Sequence, residues 1–161
     1  MMEFGWFETE MHLRYPDSAL FIRNLCDPGD TPGFRPRSGT NDPWAFPGAE
    51  DFQEEYATES NSEGFLEKPD QWLTRLQADI VVGFFGFNES FQGKEKLQNY
   101  TDELEAWILH TKSQQYNGKT APQIALVSPI AFEDLSAIKD VPNGEKENEN
   151  LKLYTEAMKN V

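Results

Sequence analysis

The segment ADIVVGFFGFNESF, at Ala78–Phe91, carries the pattern on which the fold prediction for this chain depends. Its apolar run, Ile80–Phe85, predicts a strand that is buried on both faces inside a parallel sheet. Gly86 then opens a turn, because glycine adopts backbone conformations that other residues avoid. The polar side chains of Asn88 and Glu89 follow where the strand should end. Since ligands of open α/β sheets bind outside the carboxyl ends of the strands, this turn is a candidate functional site.

The segments around this strand alternate between helical and strand patterns. Helices are predicted at 2–14, 69–77, 94–115 and from 148 onward, and further strands at 18–25 and 123–128. The first helix, at 2–14, is amphipathic and is expected to pack on the sheet. This order of elements predicts an α/β domain with a mainly parallel sheet and right-handed crossovers. A length of 161 residues suits one domain with its own core.

A long segment, residues 33–67, interrupts the alternation. It is rich in Pro, Gly, Ser and Asn, and it carries seven acidic residues and no basic one between Glu50 and Glu67. These features predict an acidic insertion loop with a short helix around 51–56. Its Arg35 and Arg37 could bind a substrate anion. Its aromatic side chains either line a cleft or, as we favour, pin the loop to the core; they are Phe34, Trp44, Phe46, Phe52 and Tyr56.

The composition excludes several classes of partner and site. A formal net charge of −14 argues against nucleic acid and anionic membranes as partners. Cys26 is the single cysteine, so an intrachain disulfide and a cysteine-based zinc site are excluded. No apolar run approaches the roughly 20 residues of a membrane span, and the amino end lacks the basic start of a signal peptide. We therefore expect no metal, no cofactor and no membrane span, and the compartment stays open.

A second polar turn, Gly29-Asp30-Thr31, follows the predicted strand at 18–25. Taken alone, it is typical of a plain surface turn. Strands of one polarity in a parallel sheet end at the same edge, however, so this turn and the Gly86–Glu89 turn are expected to converge. A glycine-turn N–H and an asparagine amide are suitable donors for a developing oxyanion. The order of the motifs therefore favours Gly29 and Asn88 as a pair of donors.

These motifs resemble those of the SGNH or GDSL-type ester hydrolases. Arg23-Asn24-Leu25 followed by Gly29-Asp30-Thr31 looks like the second conserved block of that family, and Gly86-Phe87-Asn88-Glu89 looks like the third. The 126–129 stretch resembles the strand that comes next. The resemblance covers nearly the whole chain and is closest to a bacterial branch found in large multidomain proteins. It implies a three-layer, flavodoxin-like α/β fold.

The resemblance also implies roles for the turn residues. Gly29 would supply a backbone oxyanion-hole amide and Asn88 a side-chain donor, with Asp30, Gly86 and Glu89 in supporting positions. Glu89 stands where the family usually has Asp. This substitution leaves the asparagine donor itself intact.

The family's two outer blocks, Gly-Asp-Ser and Asp-x-x-His, do not occur in these 161 residues. We therefore expect residues 1–161 to be one partial domain, the central part of the family's fold, truncated at both ends. Ser90 and Ser128 could be considered as nucleophiles, but without a base each is better interpreted as a turn residue. His12 and His110 fall in predicted helices and are expected to be structural.

The functional hypothesis is hydrolysis of acyl or acetyl esters through a serine acyl-enzyme, with a small ester or an acylated carbohydrate as substrate. This chain would carry only the oxyanion half of the site and would be inactive alone. The alternative is a non-catalytic SGNH-like binding module that is joined to other domains and holds a glycan or a neighbouring domain. A flavodoxin-like nucleotide binder is a poor third hypothesis, because no Gly-rich phosphate loop opens a helix.

Overall fold

The structure is a computed structural model that describes residues 5–35, 44–53 and 68–161. Within these ranges it contains five helices: α1 (Trp6–Arg14), α2 (Pro69–Arg75), α3 (Phe87–Ser90), α4 (Leu97–Ser113) and α5 (Glu145–Asn160). It contains two strands, β1 (Ile80–Gly83) and β2 (Gln123–Leu126). The chain is therefore a mixed α/β protein, as predicted. None of the described helices is long and apolar enough to cross a bilayer.

β1 and β2 form a parallel pair, with Val81 opposite Ile124 and Gly83 opposite Leu126. Two parallel strands need a long crossover between them, and the 17-residue helix α4 lies in that connection. The strands predicted at 80–85 and 123–128 are present but end at Gly83 and Leu126. The helix predicted at 94–115 is present as α4, and a short 3₁₀ turn at Lys94–Lys96 precedes it. Because the strands are parallel, both carboxyl ends lie at one edge of the sheet.

The helices α4 and α5 form the main core with one face of this sheet. Its buried side chains come from one side of each helix: Tyr100, Leu104, Tyr154 and Met158, with Phe85 and Leu126 packed against them from the strands. The Tyr100 and Tyr154 rings lie 4.9 Å apart. α5 begins at Glu145 rather than near Asn148, because Gly144 adopts a left-handed conformation and ends the preceding loop there.

The other face of the sheet is open, so the prediction of a strand buried on both faces is wrong. Ile80 is 57% exposed and Phe84 is 37% exposed, whereas Gly83 is buried. The apolar run was correctly interpreted as a strand, but an apolar run cannot show whether a second layer covers it. Among the described residues, β1 pairs with β2 alone.

Two predictions at the amino end are also wrong. Residues 18–25 form no strand, because a strand needs a neighbour for its backbone hydrogen bonds and the described residues supply none; Phe21 is 65% exposed. α1 is a helix, but it does not pack on the sheet. None of its residues is buried, Trp6 and Leu13 are more than two-thirds exposed, and its side chains make surface pairs such as Glu10 with Arg14.

The described parts of the predicted insertion loop are pinned to the core, as favoured above. Phe34 and Trp44 form an antiparallel bridge, and their rings lie 5.1 Å apart. Phe46 and Ala49 are buried in a second cluster that meets α4 at Ala106 and Trp107. A 3₁₀ turn at Ala49–Asp51 precedes the position of the predicted short helix. The remainder of that helix, and the predictions for Arg37 and Tyr56, lie outside the described residues.

Candidate functional site

The first polar turn is a β-turn from Asp27 to Asp30. Asp30 N donates to Asp27 O at 3.2 Å, with Pro28 and Gly29 at the two central positions. Gly29 has a φ of +95°, which the third position of a type II turn requires and which favours glycine. Gly29 is exposed, and among the described residues no acceptor takes a hydrogen bond from its N–H. This amide is therefore available to a ligand.

The Asp30 carboxylate holds the turn together. Its Oδ2 accepts hydrogen bonds from Asp27 N at 3.2 Å and from Arg35 Nε at 3.1 Å. Arg35 also donates from Nη2 to Leu25 O at 2.7 Å. Burial raises the pKa of Asp30 to about 6, although the nearby Arg35 guanidinium opposes this shift. Arg35, which the sequence suggested as an anion ligand, anchors the turn instead.

The second polar turn is formed by Gly86 and the short helix α3. Gly86 has a φ of +98°, and a Cβ at this position would lie only 3.0 Å from Tyr100 Oη. Its N–H donates to Glu89 Oε2 at 2.9 Å, and its carbonyl accepts from Ser90 N at 3.3 Å. The Gly86 amide is thus occupied by the protein itself. Its role is to shape the turn.

Glu89 is a buried carboxyl at the centre of this second turn. It is only 4% exposed, and burial raises its pKa to about 7 against the lowering effect of the Gly86 hydrogen bond. Among the described residues, neither Glu89 Oε1 nor the neighbouring Tyr100 hydroxyl has a hydrogen-bond partner. The charge state of Glu89 therefore changes near neutral pH, at the residue that holds the turn.

The two turns meet at the carboxyl edge of the sheet, as the sequence predicts. Asn88 Nδ2 donates to Asp30 O at 3.4 Å, across 58 positions of sequence. Asn88 is exposed, and this long hydrogen bond uses only one of its two amide hydrogens. The Asn88 amide and the Gly29–Asp30 turn are therefore neighbours, and each offers an N–H to an acceptor from solvent.

An apolar pocket of about 390 Å³ lies beside these turns. Phe84, Phe85 and Phe87 line it from the end of β1, and the 127–130 segment lines it from the end of β2. Cys26 closes the side next to the Gly29 turn. The pocket and the polar turns thus occupy the same edge of the sheet.

A buried polar network, which sequence reasoning missed, attaches the first turn to α4. Thr31 Oγ1 donates to Glu103 Oε1 at 3.4 Å and accepts from Gln53 Nε2 at 3.0 Å, while Gln53 Nε2 also donates to Glu103. Glu103 is 1% exposed. The available signal was the acidic Glu103 on the apolar side of α4, next to Leu104. Its partners are 50 and 72 positions away, and no local pattern indicates them.

His110 belongs to a different cluster. Its Nε2 lies 2.8 Å from Asp70 Oδ2, while Asp70 Oδ1 accepts from the Tyr116 hydroxyl at 2.6 Å. His110 also stacks on Phe46. This pairing of α2 with the end of α4 was not predicted. Tyr100 packs against Gly86, and His110 lies ten residues further along α4. This corresponds to a rise of about 15 Å along the helix axis, so His110 is not beside Gly86.

The remaining nucleophile candidates do not form a catalytic pair with a base. Ser90 is 2% exposed and donates to Phe87 O at 2.7 Å, which confirms its interpretation as a turn residue. Ser128 lies in the pocket wall. Partial burial and, as a smaller cause, repulsion from the Asp30 carboxylate raise the pKa of the Cys26 thiol, so the thiol stays neutral. His12 is an exposed residue of α1, beside Glu8. The arrangement can donate hydrogen bonds to an anion, but the described residues do not provide an activated nucleophile.

Neither a protein-family model, nor a curated protein, nor a solved structure matches this chain. The turns and the pocket beside them are therefore the features that indicate what this edge of the sheet can bind.

Proposed function

We propose that this chain carries the oxyanion-binding half of an SGNH/GDSL-type ester-hydrolase site, within a three-layer, flavodoxin-like domain. The observation that supports this proposal best is the contact between Asn88 and Asp30, which brings the two polar turns together. In an ester hydrolase of this type, the two blocks that these turns resemble supply adjacent donors to one oxygen atom.

In the proposed mechanism, the Gly29 N–H and an Asn88 Nδ2–H donate to the carbonyl oxygen of an ester as it becomes negatively charged. Such preorganised donors stabilise the tetrahedral intermediate more than the substrate, because the charge develops only in the transition state. Asp30 and Glu89 hold the backbone of the two turns. The serine that attacks the carbonyl, and the Asp–His pair that activates it, would come from sequence beyond these 161 residues.

The reading frame on either side of this sequence provides the first test. An upstream Gly-Asp-Ser and a downstream Asp-x-x-His would supply the nucleophile and its base, and would support the hydrolase. A degenerate upstream turn without serine would contradict it.

The second test uses a protein that spans all four blocks. We expect Asn88→Ala to lower kcat for a short-chain aryl ester by roughly 10²- to 10³-fold with a small change in KM, because the donor acts in the transition state. Asn150→Ala, on α5, is the matched control and should leave kcat unchanged. An unchanged kcat in Asn88→Ala would remove Asn88 from the mechanism.

The 161-residue chain itself should not hydrolyse an aryl acetate. Turnover that survives Ser90→Ala and Ser128→Ala but is lost in Asn88→Ala would contradict the half-site proposal, because it would require another nucleophile within the chain.

The alternative proposal, a non-catalytic binding module, is favoured by the groups at the turns. The described residues offer hydrogen-bond donors at Gly29 and Asn88 but no activated nucleophile. In this alternative the same edge of the sheet binds a ligand without transforming it. It predicts ligand binding by the full-length protein that Asn88→Ala weakens, together with no turnover of any ester.

A further inference from the structure

The apolar pocket beside the turns has no role in the oxyanion chemistry. Its walls come from the segments that directly follow both strands: Phe84, Phe85 and Phe87 after β1, and Val127, Ser128, Pro129 and Ile130 after β2. Phe84 and Val127 are each 37% exposed, so their side chains face an open space rather than the core. Apolar walls around a concave space favour an apolar ligand, because its binding removes both surfaces from water.

The chemistry of the walls distinguishes between the ligands considered so far. Among the described residues that line the pocket, Ser128 and Cys26 carry the polar side-chain groups, a hydroxyl and a thiol. A sugar ring would bring several hydroxyl groups into this space and would leave most of them without partners, which is unfavourable. A hydrocarbon chain has no polar groups that need hydrogen-bond partners. The lining therefore favours an alkyl or acyl group over a carbohydrate.

The position of the pocket suggests an orientation for such a ligand. Phe87, in the wall, is adjacent in sequence to Asn88, and Cys26 lies three residues before Gly29. The polar donors are thus close in sequence to residues of the apolar walls. A molecule with a carbonyl at one end and a hydrocarbon chain at the other matches both features.

We propose that this pocket binds the aliphatic chain of a medium-chain acyl compound, with its carbonyl at Asn88 and Gly29. A volume of about 390 Å³ sets an upper limit on the ligand. With about 30 Å³ for each non-hydrogen atom, it holds roughly 13 such atoms at most. The chain preference does not require catalysis; the orientation of the carbonyl rests on the proposed function.

Non-hydrolysable methyl ketones test the chain preference in the 161-residue protein. We expect the affinity to rise about fourfold with each methylene from 2-hexanone to 2-decanone, and to level off near 2-dodecanone. Methyl-group NMR spectra should show ketone-dependent shifts at Val127 and Ile130. Ile138 and Leu109, which are also exposed but lie outside the pocket, are internal controls and should not shift.

Two variants test whether 2-decanone binds in this pocket. Phe84→Ser should weaken binding of 2-decanone at least tenfold, whereas Phe21→Ser, at an exposed phenylalanine outside the pocket, should have no effect. Val127→Trp should fill the space and weaken binding of 2-decanone more than that of 2-hexanone. Circular dichroism establishes that each variant is folded, and Val127→Trp provides the test if Phe84→Ser is not.

An affinity that does not depend on chain length, shifts at Ile138 and Leu109 equal to those at Val127, or tighter binding of methyl glucoside would each overturn the proposal. These experiments distinguish failure of the pocket proposal from failure of the proposed function. Chain-length-dependent binding together with an unchanged kcat in Asn88→Ala would retain the acyl-binding pocket and reject the hydrolase mechanism. The opposite pair of results would retain the hydrolase and reject the medium-chain ligand.

Discussion

The two glycine turns at the carboxyl edge of the sheet are stabilised in different ways. The Gly86 turn is buried and is held by its own stretch of sequence: the Glu89 side chain accepts the Gly86 N–H, and Tyr100 packs against the glycine. The Gly29 turn is exposed and is held from outside, by Arg35 and by the contact of Thr31 with Glu103. Both turns have internal hydrogen bonds, but the Gly29 turn is also attached through Thr31 to Glu103, which is distant in sequence.

The largest expected effect compares the same substitution at the two glycines. Both have φ near +95°, so alanine is strained at either position. At Gly86 the new methyl group would also meet Tyr100 Oη at 3.0 Å, whereas at Gly29 nothing lies within 4 Å. We expect Gly86→Ala to lower the free energy of unfolding by about 3 kcal/mol and Gly29→Ala by about 1 kcal/mol.

Urea unfolding followed by tryptophan fluorescence measures both values. Gly118→Ala serves as a control, because Gly118 also has positive φ and open surroundings but lies far along the chain, after α4. Equal losses at Gly86 and Gly29 would show that the contact with Tyr100 does not constrain the second turn.

The next effect is the pH dependence of the free energy of unfolding that ionisation of Glu89 causes. Its pKa in the folded protein is about 7, above its ordinary value of 4.5, so the folded state binds more protons than the unfolded state between these values. Stability should therefore fall as the pH rises through this range. Glu89→Gln cannot ionise and still offers an oxygen to the Gly86 N–H. We expect it to be more stable than the wild type by roughly 3 kcal/mol at about pH 8, and to differ by less than about 1 kcal/mol near pH 5.

Unfolding curves across this pH range, recorded for both proteins, check the prediction. Glu105→Gln, at an exposed position of α4, should leave the pH dependence unchanged. A Glu89→Gln variant that is less stable than the wild type at high pH would mean that the ionised carboxylate stabilises the turn, contrary to its burial.

The comparison also shows which parts of the structure the sequence could predict. The Gly86 turn depends on neighbours within about fifteen positions, at Glu89 and Tyr100. The strand before it and the helix α4 after it were predicted from apolar runs and glycine, although β1 pairs with the distant β2. The β-turn at Gly29 was indicated by its Pro-Gly pair for the same reason. The meeting of the two turns was inferred from the rule that parallel strands end at one edge. Asn88 does contact Asp30, but the described residues form no strand before the Gly29 turn, so the turns meet for a reason other than this rule.

The features that were missed depend on contacts between distant segments. Glu103 is polar within an apolar stripe, and only the fold shows that Thr31 and Gln53 satisfy it. The predicted strand at 18–25 has the right composition, but a strand forms only where a neighbour accepts its hydrogen bonds. The covered and open faces of the sheet likewise depend on which layers pack against it, and an apolar run does not contain this information.

A smaller effect tests whether the first turn depends on its distant anchor. Thr31→Val preserves the shape of the side chain but removes the hydroxyl that accepts from Phe34 N at 3.1 Å and from Gln53 Nε2. Because a buried donor then loses its partner, we expect a loss of about 1–2 kcal/mol in the free energy of unfolding. Thermal unfolding measures the loss. Thr9→Val, on the exposed surface of α1, is the control; a loss no larger than in this variant would contradict the anchoring role of Thr31.

The smallest effect concerns the ion pair that closes the first turn. Arg35→Met keeps the aliphatic part of the side chain but removes the hydrogen bonds to Asp30 Oδ2 and Leu25 O. We expect a loss of about 1 kcal/mol at a pH where Asp30 is ionised. Because Arg35 lowers the pKa of Asp30, its removal should raise that pKa further above 6, which an NMR titration of the carboxyl carbon measures directly. The loss of stability should therefore diminish below this pH, where Asp30 is neutral in both proteins. A loss that is independent of pH would assign the role of Arg35 to its hydrogen bond with Leu25, and the first turn would then be held through the backbone rather than through its carboxylate.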